Sequence, residues 1–295
     1  MKNNYNLIKV ELLNNEINRS VKNHFINKSD LRTYYKVGKM IANDGKQYGE
    51  NIIRQYSEKL KSEVHKKYNT TLLKRIRKFY WVIEKGATMS HQLSWSHYVE
   101  LLPIKNINEM NYYINQICTN NIGIRTLRTL IKSKEYDRLS IETKHKLLKR
   151  EQLEAKDFIP NPIMIRNKNN NDVINEKVLK KLILEDIDNF LLELGNDFSY
   201  VGSEFKIKMG NRYNFIDLLL YNIEFNCYAV VELKVTELKK EHIGQIQVYM
   251  NYIDNNLKKF NQDKTIGIII CKQDNKYVIK YCSDDRILSR EYELI

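Results

Sequence analysis

Two segments of the sequence carry charged side chains inside otherwise apolar runs. Asp217 lies within residues 214–221, and Glu232 and Lys234 lie within residues 228–235. Runs of this kind predict strands, whose alternate side chains point to one face, so positions 232 and 234 share a face. If the segment around Asp217 is the neighbouring strand of a hairpin, its carboxylate reaches that face too. An unpaired charge in a core costs roughly several kcal/mol, so these groups pair with each other, bind a metal or lie at an open edge.

These residue types in this arrangement suit the hydrolysis of phosphodiester bonds. Two carboxylates and a backbone carbonyl form a hard oxygen site for Mg²⁺, which keeps some waters and accepts phosphate oxygens of a substrate. A lysine beside such a site can orient an attacking water and balance the charge that develops at phosphorus. Asp217, Glu232 and Lys234 therefore predict a phosphodiester-cleaving centre, with Mg²⁺ as the cofactor and Mn²⁺ as a substitute. The alternative is a buried carboxylate–lysine ion pair with a structural role.

A further polar pair follows on a predicted helix over residues 242–257. Gln245 and Tyr249 are four residues apart, so their side chains face the same direction. Packed on the sheet, this helix would direct both polar groups at the site. The opposite interpretation, with Gln245 exposed and Tyr249 in the core, fits the spacing equally well.

The elements that must position these residues occupy the second half of the chain. Periodicity predicts a helix over residues 176–194 that ends at Gly195, followed by segments that alternate as strands do. The predicted strands are residues 198–209, 213–222, 227–235 and 265–271, with 276–282 as a candidate fifth strand. With the helix over 242–257, the order is αβββαβ, which predicts an α/β fold with a mixed sheet.

The first half of the chain is strongly basic and has helical periodicity throughout. Residues 1–150 hold 29 Lys and Arg against 13 Asp and Glu, whereas residues 151–295 hold 20 against 23. A general abundance of lysine would not produce this difference between the halves. A basic domain attracts polyanions through long-range attraction and counterion release, so nucleic acid is the predicted partner. The expected architecture is an all-helical domain, of helix–turn–helix or winged-helix type or a plain bundle.

Two helices of this half carry the candidate phosphate contacts. On the helix over residues 70–83, four cations lie largely opposite the apolar face: Lys74, Arg75, Arg77 and Lys78. On the helix that follows residues 121–123, the projecting cations are Arg125, Arg128 and Lys132. A packed helix with a cationic face suits a nucleic-acid groove, because phosphates flank the groove that it enters. A solvated helix face is the alternative.

Composition excludes several other classes of protein. No apolar run approaches the roughly 18–20 residues of a membrane helix, and the four cysteines have no metal-ligand spacing. We therefore expect a cytoplasmic protein without a membrane partner. Two prolines, Pro160 and Pro162, precede a polar run and predict a linker. The predicted division is a basic helical domain over 1–155, a linker over 156–173 and the domain with the carboxylates over 174–295.

The arrangement of Asp217, Glu232-x-Lys234 and Gln245-x-x-x-Tyr249 resembles the PD-(D/E)XK nuclease signature. More narrowly, the chain resembles the bacterial YhcG-like family, in which a helical N-terminal domain precedes a nuclease domain. In the first half the likeness is most specific over residues 93–102, at LSWSHY (93–98) and at Leu101-Leu102. In the second half it is carried by residues 191–195, 198–202, 215–221, 231–234, 243–245 and 266–272.

The resemblance implies a restriction-endonuclease-like core and a role for each matching residue. Asp217 and Glu232 would ligate the metal, and Lys234 would act in catalysis. Gln245 and Tyr249 would be supporting active-site residues, and Glu193 matches the place where many such nucleases have an extra acidic residue. One departure is Ser203-Glu204, where the family tends to have a basic residue, so a substrate contact near the first strand is expected to differ.

Three functions follow from these observations. The leading hypothesis is a Mg²⁺-dependent DNA endonuclease, with RNA as a second candidate substrate. The resemblance to the family suggests a setting in genome defence or mobile-element biology. A junction-resolving nuclease is a related hypothesis that requires a homodimer. The third is a non-catalytic nucleic-acid-binding protein with a nuclease-like fold, against which the intact Asp217, Glu232 and Lys234 argue.

Overall fold

The computed structural model describes residues 4–20, 26–48, 51–149, 151–168, 171, 173–195, 197–282 and 284–295. The chain forms two compact units, Met1–Lys134 and Glu135–Ile295. Among the described residues, no helix combines the length and the apolar character that a membrane crossing requires.

The first unit is helical. Its helices are α1 Tyr5–Ser20, α2 Ile26–Tyr48, α3 Asn51–Glu63, α4 Thr70–Glu84, α5 Trp95–Leu101, α6 Ile107–Asn120 and α7 Ile124–Lys132. Its described residues include no strand, so they contain no wing of the winged-helix type. Helices α2 and α4 approach closely at Gly38, where an added Cβ would lie 2.5 Å from the Ile76 carbonyl oxygen.

The segment LSWSHY forms the start of α5 and anchors it in the core of this unit. Ser94 is the N-cap residue, and its side chain accepts a hydrogen bond from the His97 backbone N–H. The His97 ring Nδ1 accepts in return from the Ser94 backbone N–H at 3.0 Å, so the two residues form a capping box. Trp95 and Tyr98 then meet Phe79 of α4 edge-on, with ring centroids 5.5 and 4.9 Å from the Phe79 ring. The motif therefore has a structural role in packing α5 against α4.

The second unit is a six-stranded mixed sheet with helices on both faces. Its strands are β1 Ile163–Ile165, β2 Phe198–Met209, β3 Arg212–Asn222, β4 Cys227–Glu237, β5 Asp263–Gln273 and β6 Ile287–Leu294. Its helices are α8 Glu135–Arg138, α9 Ile141–Lys149, α10 Glu176–Glu185, α11 Ile187–Leu194, α12 Lys240–Asn256 and α13 Lys276–Lys280. The strand order is β1-β6-β5-β4-β3-β2. Strands β2, β3 and β4 are antiparallel neighbours, and β4, β5, β6 and β1 are parallel neighbours.

Alternation along the strands divides the apolar residues between two cores. On β4, Val231 and Leu233 join one core with residues of α10 and α11. Val230 joins the other core with residues of α12 such as Ile246 and Met250. The sheet is thus covered on both faces, as the predicted α/β order requires, and the αβββαβ core with a mixed sheet is confirmed.

Three local predictions differ from the structure. The helix predicted over 176–194 is interrupted at Asp186, whose φ and ψ of −137° and 42° are not helical. The predicted strand over 276–282 is wrong: residues 276–280 form α13, because the Asn275 side chain accepts from the backbone N–H groups of Tyr277 and Val278 and so caps a helix. Strands β1 and β6 were not predicted.

The segment predicted as a linker, residues 156–173, contributes to the sheet. Its residues 163–165 form β1, which pairs in parallel with residues 292–294 of β6. Upstream of it, the Arg290 side chain donates to the Ile159 carbonyl at 2.9 Å. Helices α8 and α9, placed in the basic domain by the predicted boundary, belong to the second compact unit. Along the sequence, the division between the two compact units therefore falls between residues 134 and 135, before the predicted linker.

Candidate active site

The candidate site lies where β3 and β4 separate. Their backbone pairing extends as far as Leu218 opposite Val231. One residue further, Asp217 Oδ2 accepts a hydrogen bond from the Leu233 backbone N–H at 3.0 Å. The Asp217 carboxylate thus takes a backbone donor of β4 as its partner, and this bond fixes it beside Glu232.

Glu232 lies in the interior with one oxygen unpartnered. Its side chain is 2% exposed, and Oε2 lies 3.4 Å from Lys234 Nζ. Oε1 is buried and has no hydrogen-bond partner among the described residues. Burial, aided by the negative charge of Asp217, raises the pKa of Glu232 to about 7. A buried carboxylate oxygen without a donor favours either a proton or a cation at that atom.

Lys234 connects β4 to the first turn of α10. Its Nζ lies 3.4 Å from Glu232 Oε2 and 3.9 Å from Glu176 Oε1. His242, near the start of α12, has a pKa below its ordinary value because of burial and then the positive charges of Lys234 and Lys239. The predicted convergence of Asp217, Glu232 and Lys234 is therefore what the structure shows, and Glu176 joins them.

Lys180 is the partner of Asp217 on the helix side. Its Nζ lies 2.9 Å from Asp217 Oδ1 and 3.2 Å from Glu204 Oε1. Burial lowers the pKa of Lys180, but its hydrogen bonds and charge interactions with the two carboxylates outweigh burial and raise it. Glu204, in the left-handed backbone region with φ of 47°, belongs to the Ser203-Glu204 pair at which a departure from the family pattern is expected. This pair therefore lies beside Lys180 and Asp217.

Gln245 and Tyr249 contact each other. Gln245 Nε2 donates to the Tyr249 hydroxyl at 3.2 Å. Tyr249 is buried in the core that α12 forms with the sheet. Within the described part of the chain, no hydrogen bond or ion pair joins either residue to Asp217, Glu232 or Lys234. Their supporting role in catalysis therefore stays a prediction.

Glu193 binds partners other than the three converging side chains, and its expected role in the site stays a prediction. Its carboxylate is held by the guanidinium of Arg138, and Nη2 of that group lies 3.2 Å from Oε2. The Met164 backbone N–H also donates to Glu193 Oε1, at 2.9 Å, and both members of the ion pair are largely buried. Glu193 thus anchors β1 and α8. Helix α10, by contrast, brings the acidic residue Glu176 to the site, where it lies near Lys234.

The cations of α4 do not all lie on one face. Lys74, Arg75 and Lys78 are exposed, but Arg77 is buried. Position 77 falls four residues after the buried Leu73, so it belongs to the apolar stripe, and its guanidinium carbon lies 4.7 Å from the centroid of the Trp81 ring. The expectation that Arg77 belongs to the exposed cationic face is therefore wrong.

One exposed cation of α4 and one of α7 act on a common acidic residue, Glu100. Arg125, Arg128 and Lys132 are all exposed on α7. Arg128 donates to Glu100 at 2.7 Å. The pKa of Glu100 is lowered by this hydrogen bond and also, more weakly, by the charge of Arg75. One member of each candidate set, Arg75 and Arg128, therefore acts on the charge of Glu100, and Arg128 is already paired with it.

The candidate site offers a divalent cation two adjacent carboxylates, those of Asp217 and Glu232. Among the described residues, no group of three or more His, Cys, Asp and Glu side chains is arranged to hold a metal. Asp217 and Glu232 are adjacent and offer the oxygen ligands that Mg²⁺ prefers, and Glu232 Oε1 is unpartnered. Asp217 would have to release Lys180 to use both of its oxygens. A cation here would complete its coordination with waters, backbone or phosphate oxygens.

The fold and this group of side chains define a nuclease domain of the PD-(D/E)XK type. Residues 156–294 match the YhcG PDDEXK nuclease domain model, and residues 12–138 match the DUF1016 N-terminal domain model. Together the two matches cover most of the chain, which belongs to the YhcG-like family of PD-(D/E)XK nucleases.

The sequence identity to individual known proteins is low. The chain is 22% identical over 309 aligned positions to the protein named "Putative nuclease YhcG" of Escherichia coli (strain K12), covering 89% of this chain and 82% of the relative. Among solved structures, a repair endonuclease from Pyrococcus abyssi and an EndoMS–dsDNA2 complex each align at 15% identity with a TM-score of 0.29. Those alignments cover 42% and 43% of this chain and about half of the neighbours, 49% and 48%.

Proposed function

We propose that this chain is a divalent-metal-dependent DNA endonuclease that hydrolyses phosphodiester bonds where β3 and β4 separate. One observation carries the proposal: Glu232 keeps an unpartnered carboxylate oxygen in the interior, beside Asp217 and with the Lys234 ammonium 3.4 Å from its other oxygen. A buried carboxylate oxygen without a donor favours a cation or a proton at that atom. We take Mg²⁺ as the physiological ion, with Mn²⁺ able to replace it.

Each residue has a definite task in the proposed reaction. Asp217 and Glu232 would hold the cation through their carboxylate oxygens. The cation, when bound, supplies a Lewis acid for a phosphate oxygen. Lys234 orients the attacking water and offsets the negative charge that grows on the phosphate. The water oxygen forms a bond to phosphorus and gives up one proton to the solvent. The bond from phosphorus to the leaving oxygen breaks, and that oxygen takes up one proton from the solvent.

Charge supports DNA as the substrate. The first 150 residues hold 29 Lys and Arg against 13 Asp and Glu, and the exposed cations of α4 and α7 belong to this part. Such a region supplies affinity for the phosphate backbone without sequence specificity. Genome defence or mobile-element biology is the setting that the family resemblance suggests.

Nicking of supercoiled plasmid DNA by the full chain tests the proposal. We expect nicking with Mg²⁺ or Mn²⁺ and none with EDTA. Asp217→Asn and Lys234→Met should each lower the rate by at least about 100-fold, as loss of a charge-stabilising group does. Lys264→Met, at an exposed position of β5, is the matched control and should retain the wild-type rate.

The substrate panel should include single-stranded DNA, a four-way junction and RNA. Binding of these substrates without cleavage of any of them, with either metal, would favour the non-catalytic alternative. Cleavage confined to the junction, by a protein that sediments as a homodimer, would favour a resolving enzyme.

A further inference from the structure

The hairpin of β2 and β3 carries exposed aromatic and cationic side chains on one face. The register places Lys206 opposite Phe215 and Lys208 opposite Tyr213, so these four side chains share a face. Tyr213 is 54% exposed and Phe215 is 53% exposed. The other face of the hairpin carries Ile207 and Ile216, which are buried against α12. We call the four exposed residues the hairpin face.

The two cations of the hairpin face are available to an outside anion. Lys206 Nζ lies 3.8 Å from the centroid of the Tyr213 ring, which holds the ammonium beside the aromatic surface. Within the described part of the chain, neither Lys206 nor Lys208 has a carboxylate within ion-pair distance. Exposed aromatic rings flanked by unpaired cations are the combination with which proteins bind single-stranded nucleic acid, since bases stack on rings and phosphates meet the cations.

The hairpin face continues along β3 to the carboxylates of the candidate active site. Tyr213, Phe215 and Asp217 are successive alternate residues of one strand, so each step is about 7 Å. Asp217 binds Lys180, which lies on the opposite side of the sheet from α12. If a phosphate of a DNA strand reached Asp217, the next nucleotides of that DNA strand would therefore lie beside Phe215 and then beside Tyr213.

We propose that the hairpin face binds unpaired nucleotides next to the scissile phosphate, so that the substrate is DNA with a single-stranded segment. This inference rests on the proposed function. A base within a duplex is stacked between its neighbours and cannot cover these rings, whereas an unpaired base can. A protein partner fits the face less well, because the cores of protein interfaces are depleted in lysine and the rings here are flanked by two lysines.

Binding by the full chain in EDTA tests the inference without requiring cleavage. Fluorescence anisotropy at about 0.15 M salt would compare a labelled oligo-dT with a fully paired DNA hairpin of the same length. We expect Phe215→Ala to weaken oligo-dT binding roughly 5- to 150-fold, the range of one base–aromatic stack, and to leave the duplex little changed. Phe260→Ala, which removes a fully exposed ring in the loop after α12, is the control and should bind both ligands as the wild type does.

Photocrosslinking locates the contact directly. An oligo-dT with 5-iodouracil should crosslink to the peptide that contains Tyr213 and Phe215. Three results would each overturn the inference. The first is crosslinks confined to the first compact unit, and the second is an equal loss of oligo-dT and duplex binding by Phe215→Ala. The third is a change in the sedimentation of this variant without DNA, which would identify the face as a contact between copies of the chain. Oligo-dT binding through this face by a protein that cuts no DNA would uphold the inference while contradicting the proposed nuclease activity.

Discussion

Lys180 lies 2.9 Å from Asp217 Oδ1, so the carboxylate proposed to bind a divalent cation already has a positive partner on α10. The same ammonium lies 3.2 Å from Glu204 Oε1, which is mostly exposed. Lys180 is therefore able to leave Asp217 while keeping a carboxylate partner. Metal binding at Asp217 should compete with this ion pair.

Removal of Lys180 should strengthen metal binding. In Lys180→Met the cation no longer displaces an ammonium from Asp217, and we expect the Kd for Mn²⁺, measured by titration calorimetry without DNA, to fall about fivefold, which corresponds to roughly 1 kcal/mol. Lys181→Met is the matched control, because Lys181 is exposed and pairs with Glu185 on its own helix. Unchanged or weaker Mn²⁺ binding by Lys180→Met would show that this ion pair does not oppose the metal.

Glu232→Gln should stabilise the metal-free protein and abolish its response to metal. Burial raises the pKa of Glu232 to about 7, so the unfolded chain ionises this group at a lower pH than the folded protein, and stability falls as pH rises from about 4.3 to about 7. At pH 8 in EDTA, the variant should be more stable than the wild type by up to roughly 3 kcal/mol in urea unfolding. Added Mn²⁺ should raise the Tm of the wild type only. A variant less stable than the wild type in EDTA would mean that ionised Glu232 has favourable partners.

The strands of the site could be predicted because their pattern is local. Apolar runs interrupted by Asp217, Glu232 and Lys234 indicated both the strands and the group of charges, and the structure brings the three together. Glu176 and Lys180 gave no such signal. They are four residues apart on an amphipathic helix, as solvated ion pairs commonly are, and only the packing of α10 on the sheet places them at the site.

The missed strands and the role of Glu193 depend on contacts distant in sequence. Strand β1 has three residues and pairs with residues about 130 positions later, so no local period reveals it. Glu193 has the sequence position expected of an active-site acid, but Arg138, 55 residues earlier, binds its carboxylate. Local pattern predicted the elements here, whereas the partners of individual carboxylates come from remote segments that no local pattern reveals.

The capping box of α5 predicts a pH-dependent stability. Burial lowers the pKa of His97, and Nδ1 must be unprotonated to accept from the Ser94 N–H. The unfolded chain therefore binds a proton more readily, and the wild type should lose stability as pH falls below the ordinary histidine pKa of about 6.5. Glutamine at this position completes a capping box without titrating. The Tm of His97→Gln minus the Tm of the wild type should therefore increase as the pH is lowered from 7 to 5. A Tm difference that stays constant over this range would contradict the prediction.

Two glycines of α2 should respond oppositely to alanine. At Gly38 the new Cβ would lie 2.5 Å from the Ile76 carbonyl oxygen and 2.8 Å from Tyr80 Cβ, so α2 and α4 must separate. We expect Gly38→Ala to cost about 1–3 kcal/mol in the free energy of unfolding. At Gly45 the nearest atom is Arg77 Nη1 at 3.4 Å, so Gly45→Ala should stabilise the helix by about 0.5–1 kcal/mol. Equal effects in urea unfolding would mean that the helices do not approach as described.

The exposed cations of α4 should control the salt dependence of DNA binding. Affinity of the wild type should fall steeply between about 50 and 200 mM salt, because each neutralised phosphate releases counterions. Replacing Lys74, Arg75 and Lys78 together by Gln should reduce the slope of log Kd against log salt by about 0.9 for each phosphate that the variant no longer neutralises. Arg54→Gln is the control, since Arg54 is an exposed cation of α3 that pairs with Glu58 on its own helix. A triple variant with the wild-type slope would show that α4 does not face the DNA, and the basic character of the first unit would then act through other cations.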